Sequence, residues 1–258
     1  MLKKNTISFD KVSKACSVKK SLGDAYSYHI HINGIVQGVG FRPFVYQLAK
    51  QMQLNGYVKN GSDGVHIFFN ATEHIANSFF NKIKEEAPKQ SKIISSELYK
   101  TADKKFAGFL IVIEEDGDKK TVLMAPDKAI CNNCRTELYN INNRRYRYPF
   151  ITCTQCGPRY SIINNLPYER HGTSMQSFTM CESCNEEYTN VTDRRLFSQT
   201  NSCTDCGIEL SILKNNAGIL TSNTEEVLAH IQTLLQQGKT LAVKGIGGYL
   251  LLCDAFNA

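Results

Sequence analysis

Four C-x-x-C pairs, Cys131/Cys134, Cys153/Cys156, Cys181/Cys184 and Cys203/Cys206, take up eight of the ten cysteines in this 258-residue chain. Two thiol pairs at this spacing can surround one tetrahedral Zn²⁺, with Zn–S arms of about 2.3 Å. Ten cysteines amount to about 4% of the chain, well below the ~8–10% of a disulfide scaffold. No apolar stretch follows the lysines of MLKKNTISFDKVSK, so no secretory signal is read. A reducing, cytoplasmic setting is therefore expected, where paired thiols hold metal more often than disulfides. Iron–sulfur ligation competes for the same thiols, but evenly spaced knuckles followed by glycine favour zinc. Four pairs predict two structural zinc ions.

The spacing says more than the count. Eighteen residues separate the two pairs in each half, and a shift of 50 positions lays the first four cysteines on the second four. The same shift superposes Glu137 on Glu187, Arg144-Arg145 on Arg194-Arg195, Thr154 on Thr204 and Gly157 on Gly207. One supersecondary unit is used twice. The simplest grouping is sequential, with Cys131, Cys134, Cys153 and Cys156 around one ion and Cys181, Cys184, Cys203 and Cys206 around the other. An interleaved grouping of outer with outer and inner with inner pairs stays open. RRYRY (144–148) interleaves guanidiniums with aromatic rings, which invites a nucleic-acid reading. The doublet recurs inside the repeat, and this favours a structural role. A hydrolytic zinc is not expected, because four thiolates leave no open position for water.

Residues 1–25 are polar and weakly patterned, read as a loose tail. From Tyr26, YSYHIHI alternates as a strand should. Residues 34–42, GIVQGVGFR, form a glycine-rich turn, and PFVYQLAKQMQL reads as a helix with Pro43 in its first turn. GYVKN and GVHIFFN are two strands joined by Gly61-Ser62-Asp63-Gly64. Residues 72–87 place Ile75, Phe79, Phe80 and Ile83 at helical spacing. KIISSELYKT and GFLIVIEE complete a β-α-β-β-α-β order with an extra strand. The fold class is α+β, a ferredoxin-like α/β sandwich over 26–116. EEDGDKK (114–120) marks the boundary before the duplicated cysteine region, 124–207. Residues 224–239 form a helix with Thr224 as N-cap and Gly238 as its stop. LAVKGIG and YLLLCDA follow as strands without partner strands. Residues 221–258 thus read as the unfinished start of an α/β nucleotide-binding domain. No run approaches the ~18 apolar residues of a membrane helix. A net charge of +6 permits an anionic ligand without demanding nucleic acid.

Gly34, Gly38 and Gly40 put bare amides ahead of a helix, so that Gln37, Gly38, Val39, Gly40, Phe41 and Arg42 form a loop able to wrap an anion. Arg42 adds a planar fork suited to phosphate; a tight turn with a surface arginine is the plain alternative. GIVQGVGFR followed by GYVKNGSDG (56–64) resembles the acylphosphatase signature pair, over about 90 residues. The resemblance implies that Arg42 binds the phosphate and Asn60 positions the attacking water. An acyl phosphate is a reactive mixed anhydride, so orienting water and neutralising phosphoryl charge suffice. One departure is His66, where stand-alone acylphosphatases usually carry valine.

The order of this domain, the duplicated cysteine unit and then K-G-I-G-G-Y resembles the N-terminal part of HypF-type carbamoyltransferases, which mature nickel–iron hydrogenases. RRYRYPFITCTQCGPRYSII (144–163), LPYER (166–170), MCESCNEEY (180–188) and DRR (193–195) also match, and VKGIGGYLLLCDA (243–255) resembles the entry to a YrdC/Sua5-like domain. The resemblance implies hydrolysis of carbamoyl phosphate in this chain. In the full-length family it implies ATP-dependent transfer of the carbamoyl group to a C-terminal cysteine of a partner maturation protein. Lys244 is a candidate nucleotide-binding residue on the same ground. Phe197 stands where the family usually has histidine, and Gly207-Ile208 where it usually has Gly-Pro. Both departures are expected to touch only the second zinc repeat. A stand-alone acylphosphatase with a zinc interaction module is the alternative.

Overall fold

The computed structural model describes residues 25–113, 122–213 and 218–256; the tail assigned to 1–25, apart from its last residue, and the boundary at 114–120 lie outside them. The alternating segment becomes β1 (Tyr26–Ile35). Successive side chains in a strand point to opposite faces, so Tyr28, Ile30 and Ile32 are buried in the core while His29 and His31 take the other face. α1 (Phe41–Gln51) begins two residues before the expected start, which still leaves Pro43 in its first turn. Its buried Phe41, Val45, Leu48 and Ala49 follow helical spacing. β2 (Asn55–Gly61) and β3 (Gly64–Ala71) form the expected hairpin. α2 (Glu73–Glu85) buries Ala76, Phe79 and Ile83, and β4 (Lys92–Lys100) and β5 (Phe109–Val112) complete the sheet. The sheet order is β4-β1-β3-β2-β5, with β5 parallel to β2 as the additional strand. This is the ferredoxin-like arrangement the element order implied.

Each cysteine repeat opens with a short helix, α3 (Asn132–Tyr139) and α4 (Glu182–Thr189). The duplication extends to the backbone: Arg147 and Phe197, 50 positions apart, both take positive φ, at 55° and 53°. Side chains then cross between repeats. Arg145 donates from Nε to the Ser202 carbonyl and from Nη1 and Nη2 to Glu187 at 2.9 and 2.5 Å. Arg195 donates in the same pattern to the Thr152 carbonyl and to Glu137. Arg144 reaches Cys184 Sγ at 3.2 Å, and Arg194 reaches Cys134 Sγ at 3.2 Å. Each repeat thus supplies counter-charge to the other's thiols. Burial pushes the Glu187 carboxyl up, but hydrogen bonds from Arg145 and Arg144 outweigh it and bring the group down to about 2.

After the cysteine region come a small ribbon of β6 (Ile212–Leu213) and β7 (Ile219–Thr221), then α5 (Thr224–Gln236), β8 (Leu241–Lys244) and β9 (Tyr249–Leu252). The cap of α5 is Asn223 rather than Thr224, because the Asn223 side chain accepts from the Glu225 and Glu226 amides. β8 and β9 are not left without partners: they pair with each other, antiparallel, with Tyr249, Leu250 and Leu251 exposed. No helix among the described residues is long and apolar enough to cross a membrane.

Arg145 is 2% exposed, whereas Arg147 forms an open pair with Glu225. Arg145→Ala is therefore expected to cost about 2–4 kcal/mol in denaturant unfolding of the metal-loaded protein, because the buried Ser202 carbonyl and Asn201 Oδ1 lose their donor. Arg147→Ala is expected to cost at most about 1 kcal/mol.

Candidate active site

The glycine loop is the left-handed entry to α1. Gly38 has φ +72° and Gly40 φ +77°, a region L side chains rarely adopt. A Cβ at Gly38 would also lie 2.9 Å from the Arg159 side chain, so the turn is tight against the first cysteine repeat. Gln37, 1% exposed, locks this junction. Its Nε2 donates to the carbonyls of Gly61 and Gly64 at 2.7 and 2.9 Å, and its Oε1 accepts from the Tyr168 amide at 2.9 Å. Val39 and Phe41 are core residues.

Arg42 is buried in the first turn of α1, and its fork is already engaged. Nη1 and Nη2 donate to Glu169 Oε1 and Oε2 at 2.5 and 3.1 Å, with both side chains 5% exposed or less. Asn60 Nδ2, on β2, donates to Glu169 Oε1 at 3.3 Å and to the Tyr168 carbonyl at 3.2 Å. Gln199 Nε2 donates to Glu169 Oε2 at 3.3 Å. One carboxylate therefore sits among four N–H donors at the mouth of the glycine loop. Asn60 Oδ1 and the Tyr168 hydroxyl are buried with no hydrogen-bond partner among the described residues. Arg159 lines the same cavity and spends its guanidinium on the uncharged carbonyls of Gly38, Cys153, Cys156 and Pro158. Phe197 lies 5.4 Å from the Arg42 guanidinium, ring face towards it. Its departure from histidine thus bears on the anion site, not only on the second cysteine repeat.

Arg42 and Asn60 are brought together as the motif pair implied. Glu169, Gln199 and Arg159 carry no signal that singles them out in the sequence. LPYER stands out only as a matching stretch, and a lone glutamate 127 positions from Arg42 has no spacing signature. Lys244, by contrast, is in β8, and its Nζ lies over the Tyr249 ring at 5.4 Å.

The cysteines gather sequentially: Cys131, Cys134, Cys153 and Cys156 in one cluster, and Cys181, Cys184, Cys203 and Cys206 in the other. Sulfur–sulfur distances run from 3.5 to 3.9 Å. A tetrahedron with 2.3 Å arms has edges of about 3.8 Å, while a disulfide would need about 2.05 Å. The donor sets therefore fit a four-thiolate metal ion. Cys253 stands apart and exposed, and Cys16 lies outside the described residues.

The acylphosphatase family profile matches residues 28–111, and the HypF finger profile matches twice, at 130–163 and 180–213. Over 226 residues the chain is 47% identical to the carbamoyltransferase HypF of Synechocystis sp., covering 88% of this chain and 29% of that protein. The chain is homologous to the N-terminal part of HypF carbamoyltransferases. A crystal structure of full-length HypF in a phosphate- and nucleotide-bound form superposes with a TM-score of 0.80 at 38% identity, over 93% of this chain and 31% of that one. The chain thus spans about three tenths of the length of the HypF proteins it matches. Its acylphosphatase domain is shared with smaller proteins: the acylphosphatase of Pseudothermotoga lettingae is 40% identical over 84 residues, 32% of this chain and 93% of that one.

Proposed function

We propose that this HypF-like chain hydrolyses the acyl phosphate bond of carbamoyl phosphate at the loop 37–42, with Arg42 and Asn60 as catalytic residues. The observation that carries the reading is the Glu169 carboxylate held by Arg42, Asn60 and Gln199. Donors that satisfy a carboxylate also satisfy phosphoryl oxygens, so the seat is built for an anion and Glu169 occupies it when substrate is absent. With Glu169 displaced, Arg42 and Arg159 together match a phosphoryl dianion. The free N–H groups of the first turn of α1 add to that match. Asn60 Oδ1, which has no partner among the described residues, accepts a hydrogen bond from the attacking water and aims its oxygen at phosphorus. The water oxygen bonds to phosphorus as the bond to the acyl oxygen breaks. Carbamate and dihydrogen phosphate, one negative charge each, replace the dianionic substrate and water.

In the same reading each four-cysteine cluster holds one zinc ion, and two structural ions organise 124–207 as a region distinct from the acylphosphatase-like domain, 26–116. Four thiolates leave no coordination position for substrate. ATP, a partner protein with a C-terminal cysteine and a nucleotide role for Lys244 belong to the full-length activity; the nucleotide-bound relative supports the ATP part of that reading. The arginine doublets are engaged with Glu137, Glu187 and cysteine sulfurs, so a nucleic-acid reading finds no free footprint there.

Arg42→Ala alone would strand a buried carboxylate, at a cost of about 3–5 kcal/mol. The test therefore uses Glu169→Gln as background. Glu169→Gln is expected to lower the KM for carbamoyl phosphate about tenfold or more, the value of one charge-assisted hydrogen bond. Adding Arg42→Ala or Asn60→Ala is expected to cut turnover on the order of a hundredfold or more. Near-unchanged turnover in either folded double variant would sink the assignment. Elemental analysis is expected to give two zinc ions per chain. Chelation is expected to unfold 124–207, since structural zinc supplies about 10–16 kcal/mol per site in model peptides; one ion, or iron, would contradict that.

A further inference from the structure

His66, the departure from the acylphosphatase pattern, is not part of the anion site. It pairs across the sheet with His31 of β1, on the face turned away from the buried Ile30, Ile32, Val65 and Ile67. Asp63, in the turn between β2 and β3, addresses both rings. Its Oδ1 is 2.7 Å from His66 Nε2 and its Oδ2 is 3.5 Å from His31 Nε2. The three ligand atoms lie within 4.8 Å of one another, outside both cysteine clusters.

We infer that His31, His66 and Asp63 form a third metal site, one that takes a divalent first-row ion such as Ni²⁺, Co²⁺ or Zn²⁺. Two imidazoles and one carboxylate are a borderline donor set that suits these ions better than Mg²⁺ or Ca²⁺, which call for oxygen ligands. Three protein ligands leave coordination positions for water, unlike the closed four-cysteine clusters. The frame is set before any ion arrives. Asn33 Nδ2 donates to the Asp63 carbonyl at 2.7 Å, and Gln37 pins Gly61 and Gly64 on either side of the turn. His29 Nε2 lies 3.0 Å from His66 Nδ1, the kind of outer contact that orients a ligating imidazole. The His31 and His66 rings lie nearly parallel, 6° apart with centroids 4.6 Å apart. Bringing both Nε2 atoms to one ion calls for rotation about χ2, a broad torsion in histidine. His31 at 24% and Asp63 at 43% exposure leave a way in from solvent.

The test uses the tag-free, zinc-loaded chain, dialysed against Ni²⁺, gel-filtered and analysed for both metals. One nickel is expected beside two zinc ions. His66→Val places a β-branched residue suited to a strand at this position, and Asp63→Asn removes the carboxylate charge; circular dichroism checks the fold of both variants. Each is expected to weaken nickel binding at least tenfold in calorimetric titration while keeping both zinc ions and acyl phosphate turnover. No nickel retained by the wild-type chain, or binding by His66→Val equal to wild type, would overturn the inference.

Discussion

A guanidinium taken out of water needs an anion, and Arg42 finds one only because the cysteine region brings Glu169 to it. The pair is bidentate and almost wholly buried. Breaking one partner of such a pair costs far more than the pair itself contributes, so the two halves of the molecule constrain each other through it. Around it, Gln37 joins the glycine loop to the β2–β3 turn and to Tyr168. Tyr188, Leu196 and Phe197 of the second repeat enter the same apolar core as Val45 and Phe109. The anion site is thus closed by the finger region. Burial of this kind keeps bulk water from the Arg42 and Asn60 side chains and strengthens each charge interaction around them.

The finger region supplies that wall with little secondary structure of its own. Its two repeats solve a shared problem, sulfur ligands that carry negative charge when metallated, by exchanging arginines. Arg145 and Arg144 serve the second cluster and Glu187, while Arg195 and Arg194 serve the first cluster and Glu137. A single repeat would lack its counter-charges, which gives a physical reason for the duplication.

Much of this was legible in the chain. Alternation in YSYHIHI, the hairpin turn at Gly61–Gly64 and the helical spacing of Phe79 and Ile83 fix the sandwich, because strand and helix periods differ enough to be read locally. The 50-residue repeat points to two thiol clusters, and the fold adopts the simpler, sequential grouping of the two that the spacing left open. What stayed hidden depends on contacts far apart in sequence. Glu169 carries no periodic signal, and Phe197 showed only as a departure whose place beside Arg42 needed the fold. Asn223 and Thr224 are both competent caps, and only backbone geometry separates them. The ribbon of β8 and β9 was legible as two strands, but not as each other's partners.

We propose that the seat filled by Glu169 is the phosphoryl site. A crystal structure of the wild-type chain soaked with inorganic phosphate tests it most directly. Phosphate is expected to bond to both terminal nitrogens of Arg42 and to the amides of 38–41, with the Glu169 carboxylate rotated off the guanidinium. Phosphate bound elsewhere while the Arg42–Glu169 pair stays intact would contradict it.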